Sequence, residues 1–376
     1  MWEVRMSTSM YARSANSYLD PDRIRVARMR RGMTKVDLAR KLSVTPRTIT
    51  KYEDGGAPTA GADALAQALG FPVKYFFRGN TPSLGVDEVR FRAARRATAR
   101  ERDAAVAAGV SGVEIDGWIS ARFVLPDIDV VPFAGEAPRV AAHLLRGIWG
   151  LGTKPLPNLV QLCESRGIRV YTLPAFADAV DAYSIWRGGV PYVFLARRKT
   201  PERIRFDLAH ELGHLILHSD EGEGTAAQER EADAFASEFL IPGASVVEYM
   251  RRNPSVDEIL DVRSAFKISA MALAFAAHKA GRMSDWAYRQ ACIELSQRGF
   301  RKSEPGGMAQ YEVSRVFPQV LNESRFGGAR AIANGLDLPV EDVHALTFGV
   351  ELRAAQPTEA VQGTDRRPQT RRLRVV

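Results

Sequence analysis

The sequence predicts a multidomain, mainly α protein: an N-terminal all-α helix-turn-helix bundle, a central α+β domain with a small sheet, and a helical C-terminal region. Three observations lead there. The chain has 376 residues, beyond the roughly 100 to 200 of an ordinary domain. Short, capped, amphipathic segments dominate both ends, and only residues 169–196 read as a set of strands. The expected parts are a flexible tail over 1–19, the bundle over 20–80, a basic linker over 81–107, the central domain over 108–250, the helical region over 251–354 and a basic disordered tail over 355–376.

Composition bounds the reading further. With 45% apolar, 26% charged and 9% aromatic residues the chain can bury real cores, which excludes wholesale disorder. No run reaches the roughly 20 apolar residues of a bilayer crossing, and residues 1–20 lack the apolar stretch of a signal peptide, so a cytoplasmic location with no membrane partner is expected. Cys163 and Cys292 are the only cysteines, too few for a disulfide framework or a thiolate zinc site. Any metal must use other ligands.

Residues 21–77 read as a series of short helices. Pro21 can open the first, with Ile24, Val26, Ala27 and Met29 set among five arginines, and Gly32 ends it. Thr34 caps a second, with Asp37 at the spacing of a capping box and Leu38, Ala39 and Leu42 as its inward stripe. After a Ser43-Val44 turn, Thr45 caps a third helix and Pro46 fills its first turn. Ile49 and Tyr52 then face inward, while Arg47, Thr50 and Lys51 face outward. A fourth helix runs over about 60–69 and is closed by Gly70.

Two short helices joined by a tight turn, the second presenting Arg, Thr and Lys, form the plan that places a recognition helix in a major groove. Charge agrees with it. Residues 1–103 hold 20 of the 52 Lys and Arg but only 11 of the 44 Asp and Glu, the electrostatic footprint of a phosphate-binding module. The expected partner is double-stranded DNA, with Lys35, Thr45, Arg47, Thr50 and Lys51 as contacts and nucleoid association when bound. The spaced signature Leu38-Ala39, Val44, Ile49, Tyr52-Glu53, Leu65-Ala66 and Ala68-Leu69-Gly70 resembles the Xre family of repressor-like DNA-binding domains over about 60 residues. A departure is Ser43 at the turn position that is usually Gly, where a left-handed backbone costs a non-glycine residue about 1 to 2 kcal/mol. Residues 81–107, rich in Arg and Ala without a clean apolar stripe, read as a basic connector.

Further along, 169–173, 183–187 and 192–196 read as strands around Gly188-Gly189, the last presenting an edge along which an extended substrate can pair. Residues 206–218 read FDLAHELGHLILH. Here His210-Glu211-Leu212-Gly213-His214 is the HExxH pattern of zinc peptidases. Composition alone would supply such a match roughly 0.01 times in this chain, so chance is a weak rival. Residues four apart are neighbours on a helix, so His210 and His214 can face one Zn2+ ion, with Glu211 as the catalytic base. His218 extends the series but lies about 12 Å along the axis from His210, too far to share an ion whose ligands sit about 2 Å away.

The third ligand must come from another segment. In AAQEREADAFASEFLIP, Glu229 and Asp233 lie four apart on one helix face. That spacing suits Glu229 as the ligand and Asp233 as the carboxylate that holds the far nitrogen of a ligand histidine. Glu231, rotated about 200° away, is expected in solvent, and Glu238 is a remoter alternative ligand. Tyr183 and Arg203 stay unassigned.

Through RIRFDLAHELGHLILH, EREADAFASEFLIP and the preceding DAYSIWRGGVPYVFLA, residues 137–245 resemble the ImmA/IrrE family of zinc metallopeptidases. The resemblance implies a zincin-like central domain and a bacterial cytosolic endopeptidase that cleaves a repressor-type protein in a stress-response or mobile-element switch. The helix-turn-helix on the same chain leaves open whether such a substrate is a second protein or another copy. A transcription factor or antitoxin whose peptidase-like domain only senses or docks is the alternative, and a homodimer is a further expectation. The C-terminal third contributes a helix capped by Ser269, aromatics including Phe275 and Trp286 expected in its core, and a helix pair over 329–349 whose Glu341 and Asp342 argue against groove reading.

Overall fold

The computed structural model describes residues 18–79, 81–82, 84, 90–91, 97–177, 180–218, 225–322, 327–349 and 371–372. The chain divides into two compact units, Met1–Thr81 and Pro82–Val376.

The first unit is all helical: α1 Pro21–Arg30, α2 Lys35–Lys41, α3 Pro46–Gly55 and α4 Ala62–Leu69, followed by a 3-10 turn over Val73–Phe77. Its caps follow from the sequence. Asp20 accepts from the Arg23 amide, Thr34 and Asp37 form a reciprocal capping box, and Thr45 accepts from the Thr48 amide ahead of Pro46. Ser43 adopts φ +55°, so this serine does carry the left-handed backbone of the turn. Leu19, Ile24, Ala27, Leu38, Ile49, Leu65, Leu69, Tyr75 and Phe76 fill the core. The basic footprint is reduced by internal use of arginine. Buried Arg28 forks onto buried Glu53 at 2.5 and 3.1 Å, which ties α1 to α3, and Arg23 and Arg30 are buried as well. Leu19 is already buried and donates its amide to Ala57 O, so the ordered bundle begins before residue 20.

The second unit centres on a four-stranded sheet. Its strands are β1 Arg90–Phe91, β3 Arg169–Thr172, β4 Ala182–Arg187 and β5 Val190–Leu195, in the order β1-β4-β5-β3. A separate parallel pair joins β2 Phe123–Val124 to β6 Arg371–Arg372, so part of the expected disordered tail is in a sheet. In the main sheet β4 and β5 form an antiparallel hairpin through Gly188 and Gly189, both with positive φ, and β3 runs parallel to β5. The strand expected to offer a free edge, β5, is therefore interior. The outer neighbours are β3 and β1, with Arg90 registered on Ser184 and Phe91 on Tyr183.

One face of the sheet packs on α5 Ala99–Ser120, capped by a Thr98–Glu101 box. This corrects the expectation of a linker through residue 107: Ala104 to Ala108 are buried. The absence of a large apolar stripe misled the reading, because this helix buries itself by being narrow. Gly109 sits against the Tyr183 hydroxyl, and a Cβ on Gly112 would lie 2.6 Å from the Phe194 ring. The Tyr183 hydroxyl donates to Ala105 O at 2.8 Å, a structural use for that residue. Buried Asp116 accepts from the Tyr192 hydroxyl at 2.9 Å and pairs with Arg169 at 3.2 Å, locking α5 to β5 and β3.

On the helical side come α6 Pro138–Ile148, α7 Leu159–Ser165, α8 Pro201–Leu217 and α9 Ala226–Leu240. α8 packs against β4, β5 and α9, with Leu208, Leu212, Leu215 and Ile216 buried. Buried Arg146 of α6 donates to the carbonyls of Gly152, Lys154 and Phe239, bracing the end of α9. Buried Arg205 of α8 holds Glu312 and two loop carbonyls, those of Leu156 and Pro157.

The chain continues through α10 Gly243–Tyr249, α11 Val256–Phe266, α12 Ala270–Lys279, α13 Asp285–Gln297, α14 Val316–Leu321, α15 Gly328–Leu336 and α16 Val340–Leu346. Ser269 caps α12 as expected, and α15 and α16 pack against α5. The aromatic core expected here is not formed by Phe275 and Trp286, which are 44% and 67% exposed. Alanines and leucines (Leu273, Ala274, Ala277, Ala291, Leu295) make the buried contacts of α12 and α13 instead, so the larger rings lie outside.

Replacing Gly112 by Leu forces a side chain into the Phe194 ring, and overpacking of this kind costs about 1 to 3 kcal/mol or more. Calorimetry should show the transition of the second unit lowered by several degrees. An unchanged transition would mean that α5 and the sheet are not held at the spacing described.

Candidate metal centre

α8 begins where Thr200 accepts from the Arg203 amide ahead of Pro201, and it runs unbroken through the motif. Its period places His210 and His214 on one side, turned toward α9, and both are almost fully buried. α9 begins at a capping box between Thr225 and Gln228, which sets Glu229 in its first turn opposite the two histidines. The result is a convergence of three donors. His210 Nε2 and His214 Nε2 are 3.0 Å apart, and the Glu229 carboxylate oxygens lie 3.4 Å from the first and 3.2 Å from the second. Among the described residues these three form the one group of His, Cys, Asp and Glu with metal-holding geometry.

The residues fit a zinc-type ion. Three corners of a tetrahedron with bonds of about 2.05 Å lie about 3.3 Å apart, close to each of the three separations. The outer nitrogen of His210 is also held: Nδ1 lies 2.9 Å from Asp233 Oδ1. A carboxylate only accepts, so the proton sits on Nδ1 and the Nε2 lone pair is left for a metal. Burial depresses the His214 imidazole to about 4, keeping it neutral. For Glu229, burial works to raise the carboxyl, but in the metal-free chain the adjoining His210 and His214 rings outweigh it and hold it well below the ordinary carboxylate range.

Glu211 points to the sheet side of α8 and is fully buried. Ser184 of β4 donates to its Oε2 at 2.7 Å, so the strand register fixes where that carboxylate is held. Sequence reasoning missed Ser184; a polar residue inside an otherwise apolar strand was the available signal. It also missed two contacts at the end of α8. His218 is buried and reaches His214 Nδ1 at 3.1 Å and Glu231 Oε2 at 2.8 Å. Glu231, expected in solvent, is thus half-exposed but engaged. Glu238 lies elsewhere, accepting from the Gly243 amide at 2.7 Å and facing His143 at 3.0 Å. Arg203 pairs with Asp207 at 3.5 Å. Beside Asp233 a cleft of about 690 Å³ runs along Arg203 and Phe206 to Leu240, Met271 and Phe275.

In the first unit, Arg47 and Lys51 are exposed on α3. Thr45 is exposed but serves as the cap, and Thr50 donates back to Pro46 O at 3.3 Å. Lys35 is partly occupied by Thr50 and Glu53, at 3.3 and 3.5 Å.

A helix-turn-helix unit followed along the chain by an HExxH-type metal cradle defines a DNA-binding class of protein with a peptidase-like domain. Comparison with known families agrees. Residues 163–278 match the peptidase family described as IrrE N-terminal-like domain, and residues 22–74 match the family described as helix-turn-helix domain. No curated protein sequence matches the chain. The first match runs from α7 into α12 and takes in every donor named above. No described helix is long and apolar enough to cross a membrane.

Two titrating groups of the cluster make the fold of the metal-free chain acid-sensitive. His214 takes a proton near 6.5 when unfolded but only near 4 when folded, so stability falls as pH drops through that interval. Glu229, held low, adds stability above the ordinary carboxylate value that is lost below it, so the two act in the same direction. Urea titrations in chelator at pH 7.5, 6 and 5 should show declining stability, and His214→Gln should flatten the decline. A slope unaltered by that variant would refute the assignment.

Proposed function

We propose that this chain is a DNA-binding transcriptional regulator whose second unit is a zinc-dependent endopeptidase acting on a repressor-type protein. The observation that carries the reading is the convergence of His210, His214 and Glu229, together with a fully buried Glu211 that is next to His210 in the motif and held by Ser184. A structural metal site needs no such carboxylate.

His210, His214 and Glu229 hold the ion, and Asp233 orients His210. A zinc-type ion bound there lowers the pKa of water toward 7 and polarises a carbonyl oxygen. Glu211 takes the proton of the attacking water as its oxygen adds to the peptide carbonyl carbon. It then delivers that proton to the leaving nitrogen as the C–N bond breaks. Burial of Glu211 keeps bulk water from competing for this proton, and the cleft beside Asp233 offers an apolar wall for peptide side chains. In the first unit, α3 enters the major groove with Arg47 and Lys51 foremost, while Lys35, Thr45 and Thr50 shape its approach.

Glu211→Gln keeps shape but cannot take the proton. It should leave zinc content and DNA binding at wild-type levels while cleavage of repressors encoded beside the gene falls about 10² to 10⁴-fold on gels. Equal regulatory behaviour of both forms, with neither cutting any candidate, would reject the peptidase reading in favour of a sensor.

Arg47→Ala with Lys51→Ala should weaken duplex binding in gel shifts and reduce its salt dependence, since each lost phosphate contact removes roughly one counterion from the slope. No change in that slope would remove α3 from the interface.

A further inference from the structure

His218 cannot reach the ion, yet it is buried at the point where α8 ends, touching a metal donor on one side and a carboxylate of α9 on the other. The proton arrangement follows from the partners alone. Glu231 only accepts, so His218 Nε2 carries a proton and donates to it. A neutral His218 then has a lone pair on Nδ1, which faces His214 Nδ1 at 3.1 Å. That nitrogen must be the donor, which leaves the His214 lone pair on Nε2, the atom that converges with His210 and Glu229. With both rings neutral, each ring nitrogen has one role in this arrangement.

Resting on the metal-centre reading above, we propose that Glu231 and His218 form a positioning relay for His214, the counterpart of Asp233 for His210. The relay has a second effect. Glu231 follows Glu229 by two residues, so the same hydrogen bond ties the end of α8 to the opening turns of α9, where the third donor sits. Both imidazole donors are thereby fixed from behind: His210 by a carboxylate directly, and His214 by a carboxylate acting through a second ring.

The test reads metal binding rather than turnover. Zinc affinity is measured on the full chain by competition with a chelator, and the donor set is followed by the visible absorption of the cobalt(II)-loaded chain. His218→Phe, which keeps bulk and loses both bonds, should lower zinc affinity roughly 10 to 100-fold and alter the cobalt bands. His218→Asn, whose Oδ1 stands where Nδ1 stood, should recover most of that affinity. Glu231→Ala, at a half-exposed position that the fold tolerates, should give an intermediate loss.

Wild-type affinity and bands in both His218→Phe and Glu231→Ala would overturn the relay. So would equal losses in the Phe and Asn variants beside a silent Glu231→Ala, since that pattern belongs to packing. Should His218→Phe fail to fold, the Asn and Glu231 variants decide. If the unaltered chain binds neither zinc nor cobalt, the metal-centre reading itself fails, which separates the two failures.

Discussion

The distance between α8 and α9 sets everything at the candidate metal centre, and one residue sets that distance. Gly213 lies inside the motif, between the two histidines, on the side of α8 that meets α9. A Cβ there would stand 3.1 Å from the Phe235 ring and 3.2 Å from Ala232 Cα. Glycine in a helix interior costs about 1 kcal/mol relative to alanine. The return is an approach close enough for Glu229, one turn earlier on α9, to touch both Nε2 atoms. Asp233 and Glu231 depend on the same approach, because each reaches across it from α9 to an imidazole of α8.

Behind the donors the support is apolar and tightly filled. Phe235 and Phe239 stack at 5.5 Å between centroids, Trp149 meets Phe239 edge-on, and Arg146 closes the end of α9 by satisfying three carbonyls. In front of them the groups are polar and individually positioned: Ser184 on Glu211, Asp233 on His210. This division holds the cradle by packing on one side and by hydrogen bonds on the other. The sheet takes part through register alone, since a shift of one residue in β4 would turn Ser184 to the opposite face.

Much of this was legible beforehand. The caps at Thr34, Thr45 and Ser269, the left-handed Ser43 and the hairpin at Gly188-Gly189 follow from local chemistry that sequence displays directly. Helix period likewise brings 210 with 214 and 229 with 233, but only the packing of α8 on α9 brings the two pairs together. What escaped was decided by distant partners. α5 was hidden because its burial comes from small residues against Tyr183 and Phe194, which no stripe of large residues announces. Glu231 and His218 were hidden because a helical wheel places Glu231 away from Glu229 but is silent about the end of the neighbouring helix. The aromatics of α12 and α13 were misplaced because spacing shows which residues share a face, and only packing shows which face is covered. In the first unit, net charge overstated the outward display because Arg23, Arg28 and Arg30 are buried.

All three donors arise within 20 positions of one another, on two consecutive helices. The sheet they work beside is built from pairings that include β1, more than a hundred residues upstream of the motif. Contacts close in sequence form ahead of remote ones, because closing a long loop costs more entropy. A helical hairpin of α8 and α9 can thus gather its donors before β1 has found β4. Gathering of the donors and completion of the sheet can then be separate events in the life of a newly made chain, ordered by chain connectivity.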